Sequence, residues 1–90
     1  MRVIQKIPTT FRLDAHEYHA TTRIEEVEAP REMHGTHYRA VLEQSPLHGA
    51  HSAEEDSVSL ALDFLNLAMQ AMGGEFIVFA IDEEGQERAA

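Results

Sequence analysis

Ser52-Ala-Glu-Glu-Asp-Ser-Val-Ser-Leu-Ala-Leu-Asp-Phe-Leu-Asn-Leu-Ala-Met-Gln-Ala-Met-Gly-Gly74 is the stretch on which the fold turns. It contains no Pro or Gly before Gly73, and it is too long to be a strand. A helix over 53 to 72 is expected. Ser52 and Glu55 have the spacing of a capping box, and Glu54, Glu55 and Asp56 suit the positive end of a helix. Gly73-Gly74 supplies a left-handed stop.

At about 100° per residue, Asp56, Ser59, Asp63, Asn66 and Gln70 fall in a polar stripe roughly 80° wide. Apolar side chains from Val58 to Met72 cover roughly 220°, more than a single sheet face can bury. Ala61 and Ala68 lie near the middle of that arc. Leu62, Leu65 and Met69 flank them on one side, and Leu60, Phe64 and Leu67 on the other. The second flank borders the polar stripe, so Leu60, Phe64 and Leu67 are the side chains a sheet would cover least. They are the candidate oligomer or partner interface.

Three strands are expected before the helix and one after it. Residues 2 to 7 form a short strand ended by Pro8, with an edge position expected and Phe11 and Leu13 extending it after a bend. Over 18 to 28, Tyr18, Ala20, Thr22 and Ile24 alternate with His19, Thr21, Arg23 and Glu25. Over 37 to 44, Tyr38, Ala40 and Leu42 alternate with Arg39, Val41 and Glu43. After the glycines, Phe76-Ile-Val-Phe-Ala-Ile81 is apolar on both faces, as in a central strand near 75 to 82. The fold class is therefore α+β: an antiparallel sheet of about four strands, in the order β-β-β-α-β, with one helix packed on one face. Residues 1–82 are expected to form a single compact domain, and 83–90 an acidic flexible C-terminal tail.

Composition narrows the chemistry. The 90 residues include no cysteine, which removes disulfides, a thiolate nucleophile and Cys-based metal sites. The start of the chain lacks a signal peptide's apolar stretch, and Asp63, Asn66 and Gln70 disfavour a membrane span, so a cytoplasmic protein is expected. The formal charge is −9, and it is uneven: residues 1 to 42 hold six basic and six acidic side chains, while 43 to 90 hold Arg88 against ten acids. Phosphate binding draws on Lys and Arg, so direct nucleic-acid binding is disfavoured. An acidic surface instead attracts basic proteins, including those that handle nucleic acid. Glu54, Glu55, Asp56, Asp82, Glu83 and Glu84 are the candidate partner-binding residues.

The histidines form three pairs of equal spacing, His16/His19, His34/His37 and His48/His51. Imidazole is a common ligand of zinc and other transition metals. In an antiparallel meander the first and third connections share one end of the sheet, so His16, His19, His48 and His51 form the one set able to share an ion. Glu17 or Asp14 could orient them. That metal-binding or metal-catalytic reading is the alternative to a cofactor-free protein. Enzymatic motifs are otherwise missing: there is no Gly-rich phosphate loop, no Cys–His pairing and no zinc-protease pattern. The carboxylate runs Glu25-Glu26 and Asp82-Glu83-Glu84 are expected to be solvated. No catalytic residue is named.

His37-Tyr-Arg-Ala-Val-Leu-Glu-Gln-Ser-Pro-Leu-His-Gly49 and Ser59-Leu-Ala-Leu-Asp-Phe-Leu65 resemble the strand, turn and helix of HicB-like antitoxin N-terminal domains. The resemblance spans residues 37 to 72. It implies a compact unit of three strands, helix and strand that neutralises a small basic ribonuclease. The chain departs from that family in lacking a Pro-Gly-Cys turn and the usual Gly-Asp/Glu-Thr entry to the helix, and no C-terminal DNA-binding domain is expected, so no functional residue is carried across. Small acidic phage proteins that inhibit host defence nucleases, the anti-CRISPR class, are similar in size and charge. The expected function is that of a non-catalytic inhibitor or adaptor docking on a basic nuclease or other nucleic-acid-handling protein. A structural homodimer module is a further alternative.

Overall fold

A computed structural model of the chain describes residues 2–28, 35–43, 47 and 49–81. Five elements follow one another: β1 (Arg2–Leu13), β2 (His16–Glu28), β3 (Thr36–Glu43), α1 (Val58–Ala71) and β4 (Glu75–Phe79). The strands form one antiparallel sheet in the order β3-β2-β1-β4. The α+β class and the element order expected from the sequence are both present.

β1 runs straight through Pro8 to Leu13, which corrects the expected stop at residue 7 and the expected edge position. The reason lies in where Pro8 faces. Its carbonyl accepts a bond from the Ala80 amide at 2.9 Å, just past the end of β4. Having no N–H, Pro8 cannot return the bond, and Thr9↔Phe79 is the last pair described in the β1–β4 ladder. β1 is thus an inner strand, and β4 is the edge strand, not the central one its two apolar faces suggested. Asp14 and Ala15, at φ of 52° and 65°, close a two-residue hairpin between Leu13 and His16. Both positive φ values fit the turn that matches strand twist.

The helix also starts later than expected, at Val58 and not Ala53. Ser57 is the N-cap, and its hydroxyl accepts the Leu60 amide at 3.1 Å. Ser52 is buried and serves the sheet, its Oγ accepting the Ala40 amide at 2.9 Å and donating to the Ala53 carbonyl at 2.7 Å. The chain from Ala50 to Glu55 lies along β3. Ala50 O accepts from the Leu42 amide, Ser52 N donates to Ala40 O, and Glu55 exchanges two bonds with Tyr38. These groups would otherwise be an open strand edge. Extended pairing satisfies them, and the capping-box spacing loses to it. At the other end, Gly73 at φ +98° and Gly74 donate to Gln70 O and Met69 O and close the last turn.

Alternate strand positions feed the core. Ile7 and Phe11 of β1, Ile24 of β2 and Ala40 and Leu42 of β3 cluster with Leu47, Ala50 and Ala61, Leu62, Leu65 and Met69 of α1. Phe11 stacks on Tyr18 with ring centroids 5.6 Å apart. The Thr9 hydroxyl donates to Ile7 O, so Thr22 supplies the proton in the buried 2.6 Å Thr9–Thr22 contact.

Candidate functional site

The helix buries one flank of its apolar arc and leaves the other in solvent. Ala61, Leu62, Leu65 and Met69 are buried, whereas Leu60, Phe64 and Leu67 remain 39%, 43% and 57% exposed. Ala71, also exposed, continues the same line. At about 100° per residue this stripe is centred roughly 145° around the axis from the buried side chains. Ala68, expected at the centre of the arc, is half-buried, because packing centres on the Leu62, Leu65 and Met69 flank. Ser59, Asp63, Asn66 and Gln70 border the exposed stripe, and Gln70 Nε2 donates to Asn66 Oδ1 at 2.9 Å.

The acidic candidates Glu54, Glu55 and Asp56 precede the helix in the chain. Glu54 and Asp56 are exposed and Glu55 is half-buried. None lies in the first turn of the helix, which holds no acidic residue, so their expected role at the helix dipole is corrected. Asp56 Oδ1 lies 3.1 Å from Nε2 of the buried His37. Asp82, Glu83 and Glu84 lie outside the described residues, as do the tail 83–90, His34 and His48.

The described histidines do not converge. β2 runs five residues past the end of β3, since Thr21 is the partner of Glu43 and β2 begins at His16. Residues 50–55 run back along β3, so His51 bridges to Val41, two residues before the end of that strand. Val41 pairs with Arg23, four residues from His19, so the backbone positions of His51 and His19 lie about 13 Å apart along the strands at ~3.3 Å per residue. His19 is held locally, its Nδ1 3.1 Å from Thr10 Oγ1 and its Nε2 3.3 Å from Glu17. Among the described residues no group of three or more His, Cys, Asp or Glu side chains gathers in metal-binding geometry.

A polar cluster that alternation alone did not disclose centres on Glu25. Its side chain is 3% exposed, contrary to the solvated role expected for the Glu25-Glu26 run. Arg39 Nε and Nη2 donate to Oε1 at 2.9 and 2.8 Å, and Arg23 Nε donates to Oε2 at 2.8 Å. Arg23 Nη1 also reaches Glu43 at 3.3 Å, and Lys6 Nζ lies 3.8 Å from the same carboxylate. Burial pushes the Glu25 carboxyl up, but the bonds from Arg39 and Arg23 outweigh it and hold the group below its ordinary range. An ionised, saturated carboxylate is a poor proton-transfer group near neutral pH. The signal was present as Arg23 and Glu25 on one strand face; the missing information was the register that sets Arg39 opposite Glu25.

Clefts lined by described residues open on the surface. One of about 280 Å³ is lined by Arg23, Glu25, Arg39, Val41, Gly49 and His51. Another, about 490 Å³, lies between the polar border of α1 and the start of β4, with Asn66, Gln70, Glu75 and Phe76 among its lining. Phe76 holds an unusual backbone, φ +50°, where β4 carries one residue more than β1 between the Thr10↔Val78 and Arg12↔Glu75 pairs. Its ring is 70% exposed, with the Arg12 guanidinium 5.7 Å from its centroid.

Comparison of the chain with protein-family models, curated proteins and solved structures finds no match. No helix among the described residues is long and apolar enough to cross a membrane.

Proposed function

We propose that this chain is a non-catalytic protein-binding domain, an inhibitor or adaptor whose partner is a basic, nucleic-acid-handling protein. The observation that carries the partner class is the acidic run Glu54, Glu55 and Asp56 in a chain of net charge −9, while the line of Leu60, Phe64 and Leu67, exposed on a helix whose opposite flank fills the core, marks the outer face of α1 as a protein contact. Leaving large apolar side chains in water forgoes about 1.5–3 kcal/mol each relative to full burial, and such stripes mark protein contacts. We also infer that α1 covers one face of the sheet. The alternation of Ile7, Phe11, Ile24, Ala40 and Leu42 within the core supports that arrangement.

Charge supports the choice of partner. Glu54, Glu55 and Asp56 immediately precede the helix N-cap Ser57 in a chain of net charge −9. A basic groove evolved for phosphates would be drawn to them at long range. In-cell cross-linking with mass spectrometry tests the reading. The chain should cross-link to basic nucleic-acid-binding proteins, and Glu54→Lys with Glu55→Lys should abolish those cross-links while leaving the circular dichroism spectrum unchanged. Cross-links confined to neutral or acidic proteins, or unaffected by the charge reversal, would refute it.

A further inference from the structure

We propose that the occupant of the exposed α1 stripe is a second copy of this chain, packed as an antiparallel helix pair about a two-fold axis between Phe64 and Leu67. This rests on reading the outer face of α1 as a protein interface. It assigns that face to self-association and leaves Glu54, Glu55 and Asp56 of both copies for a different partner.

Spacing and charge argue for a second copy. Leu60, Phe64, Leu67 and Ala71 are separated by four, three and four residues, the alternation that forms a helix–helix seam. All four are exposed. Along the whole of Val58–Ala71 the single charged side chain is Asp63, in a chain of net charge −9. A basic groove laid on this stripe would meet almost no opposing charge, whereas another copy would meet a neutral apolar line like its own.

The antiparallel direction follows from the same residues. It sets Phe64 against Leu67 of the other copy and the large Leu60 against the small Ala71, each pairing occurring twice as a two-fold axis requires. It opposes the two helix dipoles. It also offsets the two Asp63 side chains by five residues, about 7.5 Å along the axis at ~1.5 Å per residue, where a parallel pair would set them level. The 14-residue helix is about 21 Å long, so the patch falls short of the roughly 800 Å² per partner of a standard interface. The dimer is therefore concentration-dependent.

Sedimentation of the purified chain alone tests this without reference to any basic partner. The mass should pass from one chain below about 1 μM to two chains by about 500 μM, as expected of a small interface. Phe64→Asp and Leu67→Asp should each remain monomeric throughout with an unchanged circular dichroism spectrum. A wild-type monomer at the highest concentration, or folded variants that dimerise like the parent, would overturn the proposal. Cysteine substitutions keep it testable should an Asp variant not fold, because the chain has no cysteine of its own. Leu60→Cys mixed with Ala71→Cys should form a disulfide-linked dimer under mild oxidation, and neither should do so alone. Cross-links within either variant alone, or none in the mixture, would overturn the antiparallel pair. Failure here with charge-dependent cross-links intact in cells would remove the dimer and leave the basic-partner reading standing.

Discussion

Replacing Glu25 by Gln keeps the shape of a buried side chain and removes the charge that Arg23 and Arg39 converge on. The carboxylate accepts three charge-assisted hydrogen bonds at 2.8 to 2.9 Å. An amide has one oxygen to offer in place of two, and it turns an NH₂ toward a guanidinium. Breaking a wholly buried ion pair by removing one partner costs about 3–5 kcal/mol. Arg23 and Arg39 are 31% and 32% exposed and regain some water, so a loss of about 2–3 kcal/mol is expected. For a domain of this size that lowers Tm by roughly 10–20 °C. Urea unfolding followed by circular dichroism at pH 7 measures the loss directly. The sign with pH follows from the lowered pKa. The stabilisation is fully present above the ordinary value of 4.5 and fades as the pH falls through the lowered folded value, so the gap between parent and variant should close in acid. Glu26→Gln, which removes the ion pair with the exposed Arg2, should change stability by less than about 0.5 kcal/mol. A Glu25→Gln loss below about 1 kcal/mol at pH 7, or one that persists unchanged in acid, would show that the network contributes little to stability.

Further outcomes follow from single positions. Ser57→Ala should cost about 1 kcal/mol of stability in urea unfolding through loss of the N-cap. Ser52→Ala should cost about 1–3 kcal/mol, because it orphans the buried Ala40 amide; equal tolerance of both changes would contradict the observed helix start. Ala15→Gly, relieving a Cβ at φ 65° in the hairpin turn, should stabilise by up to about 1 kcal/mol, and a loss of stability on thermal melting would argue against that turn. Zinc titration should give matching isotherms for the parent and for a variant lacking His16, His19 and His51, since the register holds His51 away from the first two. A tight site lost in the variant would mean that the β3 register is wrong.

The set of elements and part of their burial pattern were legible in the sequence alone. Period-two alternation placed Ile24, Ala40 and Leu42 together, and the width of the apolar arc on the helix marked Leu60, Phe64 and Leu67 as its least covered side chains. These are local properties of backbone periodicity, and they survive whatever the strands later pair with. Tertiary structure decided the order of the sheet and, with it, the polar chemistry. Pro8 sits within an inner strand, where its carbonyl accepts the Ala80 amide beside the last described pair of the neighbouring ladder. Ser52, though spaced like a cap, is drawn into extended pairing by the bare amides of β3. His51 is carried away from His16 and His19 by the same return of the chain along β3. Glu25 becomes a buried anion only because register sets Arg39 opposite it. In each case a hydrogen-bonding group or a charge required a partner distant in sequence, and which partner was available depended on the strand register, which no local pattern encodes.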